Sequence, residues 1–264
     1  MNIVNMNKIT AAAALLAASF CPEPFCHAAG DEGNAGELIV VAHRGGAHLG
    51  PENSLGCIEL GMEAGAEWIE VDVHLSADRE IVVCHDPTVD RTTDGKGEIS
   101  AMKYSELRKL RLLDRDGKPT DEHLPTLEEV LRLIDGRASL LLEIKYSESS
   151  LPGIEQACID CIRRLGAEDR VIIQSFDDEV VIRTHELAPD IRVEKLLSSA
   201  KDFDFGKYSF AASFNINYKA ATREFVDMVH SLGKEVKVWT LNEYDAELVK
   251  MVDGVITDDP GIFL

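Results

Sequence analysis

The chain has 264 residues, of which 45% are hydrophobic, and its formal net charge is −20 at pH 7. This length suits a single β/α barrel, and the hydrophobic content is sufficient for one sizeable core. The acidic surface argues against nucleic-acid binding because it repels phosphate backbones, and the mean hydropathy of −0.07 excludes a membrane-embedded chain.

The first predicted element is a targeting segment. Lys8 precedes an apolar run at residues 9–20, which is too short to span a bilayer. Small residues that signal peptidase accepts follow around Ala28. We therefore expect a signal peptide over residues 1–29 and export to the periplasm or the medium. Lipid attachment at Cys21 is the alternative processing route.

Residues 30–264 show no break in composition and are predicted to form one domain. β-branched runs alternate with amphipathic helical stretches, which is typical of parallel βα units. The predicted strands are Leu38–His43, Trp68–His74, Ser139–Lys145, Val171–Ser175, Val193–Leu197, Phe210–Asn215, Val236–Thr240 and Val255–Thr257. The predicted helices are Ser54–Ala64, Thr126–Ile134, Ile154–Leu165, Asp178–Leu187, Thr222–Leu232 and Tyr244–Met251.

Eight such strands indicate a closed (β/α)8 TIM barrel. An open, doubly wound sheet is the alternative, but no Gly-x-Gly-x-x-Gly sequence follows the first strand. A long connection, about residues 87–123, interrupts the pattern and is interpreted as a short insertion over the barrel mouth. It contains a possible helix at Tyr104–Leu113.

Functional residues of a β/α barrel lie at the carboxyl ends of its strands. The first strand runs into His43 and Arg44. A histidine can transfer a proton near neutral pH, and a guanidinium suits phosphate oxygens. On its own this pair is equally compatible with a capped strand end and a surface arginine.

Two further strands carry acidic residues into the lumen. In the second strand, the period of two places Glu70, Asp72 and His74 on one face. Glu143 and Lys145 share a face in the third. Buried carboxylates repel one another, and a divalent cation such as Mg²⁺ or Ca²⁺ removes that cost. A network of ion pairs in the lumen is the alternative.

A second histidine, His85, follows a short strand after residue 80. Hairpin pairing of that strand would return His85 to the barrel mouth near Asp72, where two histidines could divide the roles of acid and base. His48, His74 and the remaining histidines lack such neighbours and are interpreted as structural. Trp239 ends another strand, and its ring could cover an alkyl or choline-like group or fill the core.

The ordered set of motifs in residues 38–264 resembles the glycerophosphodiester phosphodiesterase family. The matching segments are His43-Arg44-Gly45, Pro51-Glu52-Asn53-Ser54, Ile69-Glu70-Val71-Asp72-Val73, His85-Asp86, Arg91-Thr92-Thr93, Leu124-Pro125-Thr126-Leu127, Glu143-Ile144-Lys145, Ser175-Phe176, Trp239-Thr240 and Thr257-Asp258.

The resemblance implies a barrel of the phospholipase C-like phosphodiesterase type that hydrolyses glycerophosphodiesters, as small-molecule substrates, to sn-glycerol 3-phosphate and an alcohol. It also implies one divalent cation, Mg²⁺ or Ca²⁺. The implied roles are metal binding by Glu70, Asp72 and Glu143, acid–base catalysis by His43 and His85, phosphate binding by Arg44 and Lys145, and a metal or glycerol contact by Glu52.

Two other functions stay open on the residues. One is a different two-histidine barrel phosphodiesterase of the phospholipase C or D kind, and the other is a lipoprotein that binds polar headgroups without catalysis. The complete set of histidines and carboxylates favours an enzyme. The sequence does not indicate the headgroup, the identity of the metal or the oligomeric state.

Overall fold

The computed structural model describes residues 37–201 and 203–264. Its strands are β1 (Ile39–Ala42), β2 (Trp68–Leu75), β3 (Ile81–Val83), β4 (Arg111–Leu113), β5 (Pro119–His123), β6 (Ser139–Ile144), β7 (Val171–Ser175), β8 (Arg192–Leu197), β9 (Ser213–Asn217), β10 (Glu235–Trp239) and β11 (Gly254–Thr257). Its α-helices are α1 (Leu55–Glu63), α2 (Tyr104–Leu107), α3 (Leu127–Leu133), α4 (Ile154–Arg164), α5 (Asp178–Leu187), α6 (Arg223–Ser231) and α7 (Ala246–Val249).

Eight parallel strands close into a barrel in the order β1, β2, β6, β7, β8, β9, β10, β11 and back to β1. Val41 pairs with Ile256 on β11, and Ala42 pairs with Ile69 on β2, so β1 has a partner on both sides. The (β/α)8 prediction is confirmed. The antiparallel strand β3 pairs with the outer end of β2.

The barrel has an apolar floor and two outer apolar layers. Val41, Leu141, Ile172 and Ile256 point into the lumen and pack on one another. The alternate residues of the strands pack outward against the helices and form the two largest buried clusters. The polar residues of β2 and β6 lie above the floor, towards the carboxyl ends of the strands.

One predicted strand lies at the wrong position. The strand expected at Phe210–Asn215 is Ser213–Asn217, because the preceding residues Phe205–Tyr208 form a 3₁₀ helix. Phe210 stacks on the ring of His185 instead, with 4.2 Å between the ring centroids. The predicted helix Tyr244–Met251 is also shorter. It starts after Asp245, whose carboxylate accepts hydrogen bonds from the backbone N–H groups of Glu247 and Leu248.

The insertion contains more strand than expected. The helix predicted at Tyr104–Leu113 ends at Leu107, and the residues that follow form β4, which pairs antiparallel with β5. Asp94 fixes the start of this hairpin, because its carboxylate accepts from the backbone N–H of Arg111 at 2.8 Å. The helix prediction was therefore wrong beyond Leu107. The placement of the insertion over the mouth stays a prediction.

Within residues 37–201 and 203–264, no helix has the length and apolar character needed to cross a membrane. The predicted signal peptide, residues 1–29, and the alternative lipid attachment site Cys21 lie outside the described residues. Export therefore stays a prediction from the sequence.

Candidate active site

Three carboxylates meet inside the barrel. Glu70 and Asp72 belong to β2, and Glu143 on β6 is the direct pairing partner of Asp72. All three residues are buried. One oxygen from each lies within 4.8 Å of the others. The period of two on these strands therefore brings together the side chains that the sequence predicted as metal ligands.

Two oxygens of this triad have no hydrogen-bond donor. They are Glu70 Oε1 and Asp72 Oδ1. Lys145 Nζ donates to Glu143 Oε1 at 2.7 Å, and it lies 3.1 Å from Asp72 Oδ1 in an ion-pair contact without hydrogen-bond geometry. Buried carboxylate oxygens without donors are costly. Their convergence is the arrangement that a hard cation with oxygen ligands would stabilise.

The acidities of the three groups reflect this crowding. Burial, together with the charges of Asp72 and Glu143, raises the pKa of Glu70 well above its usual range. Burial and the charge of Asp72 raise the pKa of Glu143 to about 7. Burial also opposes ionisation of Asp72, but the neighbouring groups Lys145, His85 and Arg44 outweigh it and hold the pKa of Asp72 low. Burial and mutual repulsion thus favour protonation of Glu70 and Glu143 when no cation is bound.

A tight turn after β1 places Arg44 at the triad. Arg44 has a φ of 52° and Gly45 a φ of 85°. A Cβ at Gly45 would lie 2.9 Å from the backbone nitrogen of Ile58, so the turn requires glycine there. The Arg44 backbone N–H donates to Glu70 at 2.8 Å, and its guanidinium donates to Glu52 at 2.9 Å.

His43 is held by an aspartate from the last strand. Its Nδ1 lies 2.6 Å from Asp258 Oδ1. Because a carboxylate only accepts, Nδ1 carries the proton and Nε2 is left for proton exchange. Asn242 donates to the second oxygen of Asp258 at 2.7 Å. Sequence reasoning gave Asp258 no role beside His43, although it follows the end of β11, where functional residues were expected.

His85 has the same kind of partner. The β2–β3 hairpin forms as predicted. Directly after β3, the backbone N–H of Cys84 donates to the carbonyl of Asp72, which brings the chain back towards the triad. His85 Nδ1 lies 2.7 Å from Asp86 Oδ1. Burial lowers the pKa of His85, which favours a neutral imidazole at pH 7. Each predicted catalytic histidine therefore belongs to a histidine–aspartate pair.

Arg91 connects both sides of the site. It donates to both oxygens of Glu52, at 2.6 and 2.8 Å, and to Asp86 at 2.7 Å. Glu52 thus lies between two arginines, Arg44 and Arg91, and is not one of the three clustered carboxylates. The motif containing Arg91 was noted in the sequence, but this contact pattern was not foreseen.

Two histidines interpreted as structural lie close to the site. The Nε2 atom of His48 is 3.9 Å from Asp258 Oδ2, which is beyond hydrogen-bond distance, so the structural interpretation of His48 stays a prediction. His74 Nε2 lies 3.1 Å from the carbonyl oxygen of His85, which supports the backbone at that position. The structural interpretation of His74 agrees with this contact.

A cavity of about 380 Å³ opens beside the triad and is lined by His74, His85, Glu143, Lys145, Tyr146 and Phe176, among others. Phe176 packs edge-on against Trp239, with 5.2 Å between ring centroids. Trp239 Nε1–H donates to the carbonyl of Asn215 at 3.1 Å. The tryptophan ring is thereby fixed at the carboxyl end of β10, near the cavity wall.

Comparison with known proteins agrees with this geometry. Residues 43–262 match the profile of the "Glycerophosphoryl diester phosphodiesterase family". The chain belongs to this family. It is 35% identical to a glycerophosphodiester phosphodiesterase of Caldanaerobacter subterraneus subsp. tengcongensis, over 85% of this chain and 95% of that protein.

Solved structures give the same result. A phosphodiesterase of Oleispira antarctica, in complex with the product sn-glycerol-3-phosphate, shares 26% identity and a TM-score of 0.75, covering 84% of this chain and 93% of that one. A glycerophosphodiester phosphodiesterase of Agrobacterium tumefaciens shares 26% identity and a TM-score of 0.73, covering 86% and 98%. The predicted family, its barrel fold and its phosphoric diester hydrolase class are confirmed.

Proposed function

We propose that this chain hydrolyses glycerophosphodiesters to sn-glycerol 3-phosphate and an alcohol, with one divalent cation. Family membership supports the reaction, and the product complex of the Oleispira antarctica relative supports the product. The observation that carries the proposal is the buried triad, whose two oxygens without donors lie close to two histidine–aspartate pairs.

Glu70, Asp72 and Glu143 would hold the cation, which is Mg²⁺ or Ca²⁺. Three carboxylates face two fixed cations, Arg44 and Lys145. Binding of the ion would favour the ionised forms of all three carboxylates, and the site with its divalent ion would then carry a net charge of +1, which matches the single negative charge of a phosphodiester. When bound, the ion supplies Lewis-acid activation of the phosphate and of an attacking hydroxyl.

Arg44 and Lys145 would bind the phosphate oxygens. Both are largely buried beside the triad, where a charge interacts more strongly than it does in water. Their positive charges would stabilise the negative charge that develops on the phosphate during the reaction. Since both already contact carboxylates, their side chains are held in place before the substrate arrives.

His43 and His85 would exchange the protons. One removes a proton from the attacking hydroxyl or water, and the other protonates the leaving alkoxide. Asp258 and Asp86 accept from the Nδ1 atoms and so present Nε2 of each ring to the substrate. The half-buried imidazole of His85, whose lowered pKa favours the neutral form, suits the base.

Trp239 and Glu52 would act on substrate position. The contact between Trp239 and Phe176 provides an apolar surface for the alkyl part of the substrate. Glu52 would keep Arg44 and Arg91 in place, and a direct contact of Glu52 with glycerol stays a prediction. We also propose export to the periplasm or the medium, supported by the sequence of residues 1–29.

The test is a hydrolysis assay on glycerophosphocholine, with and without a chelator and with added Mg²⁺ or Ca²⁺. We expect release of sn-glycerol 3-phosphate that stops on chelation. Release of phosphocholine would identify a phospholipase C-like reaction instead. Binding without turnover under every metal condition would identify a headgroup-binding protein.

A further inference from the structure

A second cavity, about 550 Å³ in volume, lies at the carboxyl end of β8. Phe176 lines this cavity and also the cavity beside the triad. An alcohol attached to a phosphate at the triad could therefore extend past Phe176 into the second cavity. Its volume falls within the range of small-molecule sites.

A buried lysine is built into the wall of this cavity. The Lys195 side chain is 3% exposed. Its ammonium donates to the backbone carbonyl of Phe176 and lies 3.1 Å from Asp178 Oδ1. An ammonium has three N–H donors, so a third can serve a ligand oxygen. The bond to Phe176 also fixes the residue that the two cavities share.

The charges around the cavity are balanced. Lys207 donates to the second oxygen of Asp178 at 3.0 Å, so one carboxylate serves two ammonium groups. The other lining carboxylate, Asp204, accepts from the backbone N–H of Gly206 at 3.0 Å. A cationic ligand would meet two ammonium groups and two carboxylates that already have donors, which disfavours it.

The remaining lining is suited to hydroxyl groups. Ser198 and Ser199 each contribute a hydroxyl that can donate a hydrogen bond to a ligand oxygen, and Tyr208 lines the cavity with its hydroxyl directed to Asp178. Phe203 and Phe176 add aromatic surface, on which the C–H faces of a polyol can pack. A ligand that both donates and accepts hydrogen bonds and has no charge fits this combination better than a quaternary ammonium.

We propose that the second cavity binds the leaving alcohol of the substrate and selects polyols, such as glycerol or inositol, over choline or ethanolamine. This inference rests on the proposed function, because it assigns a headgroup to the same reaction.

The experiment compares kcat/KM for glycerophosphoinositol, glycerophosphoglycerol, glycerophosphocholine and glycerophosphoethanolamine at saturating Mg²⁺. We expect the first two to exceed the last two by about tenfold, equivalent to about 1.4 kcal/mol. Lys207→Ala should lower the ratio of kcat/KM for the two polyol diesters to that for the choline diester by about three- to fivefold. Lys201→Ala removes an exposed lysine outside the cavity and should change none of the four values.

Lys195→Met tests the buried donor, with Lys195→Gln as the variant that keeps a neutral N–H donor group. Thermal melts establish that both variants are folded, and Lys207→Ala provides the test if they are not. Loss of polyol preference in Lys195→Met, partly restored in Lys195→Gln, would support the proposal. Equal values for all four substrates in the parent, or unchanged ratios in folded Lys195→Met and Lys207→Ala, would overturn it while leaving the hydrolase function intact. Inactivity of the parent on all four would overturn the proposed function itself.

Discussion

The barrel lumen contains two buried polar clusters that satisfy their charges differently. On β8 and β10, Glu194 accepts from Lys237 at 2.7 Å, and Asn215 on β9 donates to Glu194 at 2.7 Å and to Gln174 at 2.9 Å. On β2 and β6, the triad has an excess of carboxylates, and two of its buried oxygens lack donors. The first cluster satisfies its charges internally, whereas the second leaves buried oxygens that a bound cation would satisfy.

The difference separates a structural role from a functional one. Both clusters consist of charged side chains in the lumen of the same barrel, and burial alone does not distinguish them. A buried charge with its partners contributes to a unique fold. A buried group of like charges stores unfavourable energy that a cation releases on binding. The predictions below test whether this distinction holds.

Removal of the metal should have the largest effect. We expect exhaustive chelation to abolish activity and Mg²⁺ or Ca²⁺ to restore it, because the triad would carry uncompensated charge and could not activate the phosphate. The measurement is turnover before and after chelation, with metal analysis of the protein. Full turnover by protein shown to be metal-free would contradict the assignment.

Loss of either histidine should have the next largest effect. His43→Ala and His85→Ala should each lower kcat by about 10²- to 10⁴-fold, the usual range for loss of a general acid or base. Both residues lie at strand ends outside the packed core, so circular dichroism should match the parent. A folded variant with parental turnover would remove that histidine from the mechanism.

Mutation of the cluster around Glu194 should change the free energy of unfolding. Glu194→Gln removes the buried charge that pairs with Lys237 and leaves only the longer contact of Lys237 with the partly exposed Glu235, at 3.3 Å, so it should reduce the free energy of unfolding by about 3 kcal/mol. Glu143→Gln relieves repulsion in the triad and should not destabilise the metal-free protein. Denaturant melts of both variants without metal give the comparison. Equal destabilisation by Glu194→Gln and Glu143→Gln would contradict the distinction between a structural cluster and a metal site.

The residue that orients a histidine should have a smaller effect than the histidine itself. Asp258→Asn keeps the shape of the side chain but removes the charge that holds His43 Nδ1–H. We expect kcat to fall by about 10- to 100-fold with little change in KM. Asp86→Asn provides the matched case for His85. An unchanged kcat and an unchanged pH profile in Asp258→Asn would mean that His43 does not depend on Asp258.

Local patterns in the sequence were sufficient for much of this account. The eight strands were predicted because β-branched runs recur between helical stretches. The triad was predicted because Glu70 and Asp72 share a face of β2 and Glu143 lies on a strand of the same lumen. Both inferences use only the period of two and the closure of the barrel.

Contacts between distant residues could not be predicted in this way. His43 and Asp258 are 215 positions apart, and nothing local to either residue indicates that β1 and β11 close the barrel at that point. The bridge from Glu52 through Arg91 to Asp86 depends in the same way on side-chain conformation. Strand β4 was mistaken for the end of a helix because the strand that pairs with it, β5, lies beyond a turn at residues 114–118.

A thermal melt with and without Mg²⁺ or Ca²⁺ tests the central claim, that the triad is a metal site. The proteins are the parent, Glu143→Gln and Glu67→Gln, the last a control with the same charge change at an exposed position preceding β2. At about 100 times Kd, binding stabilises the folded state by about 2.7 kcal/mol, which raises Tm by about 5–10 °C in a protein of this size. We predict this shift in the parent and in Glu67→Gln, and less than half of it in Glu143→Gln. The same shift in all three proteins would show that Glu143 is not a ligand.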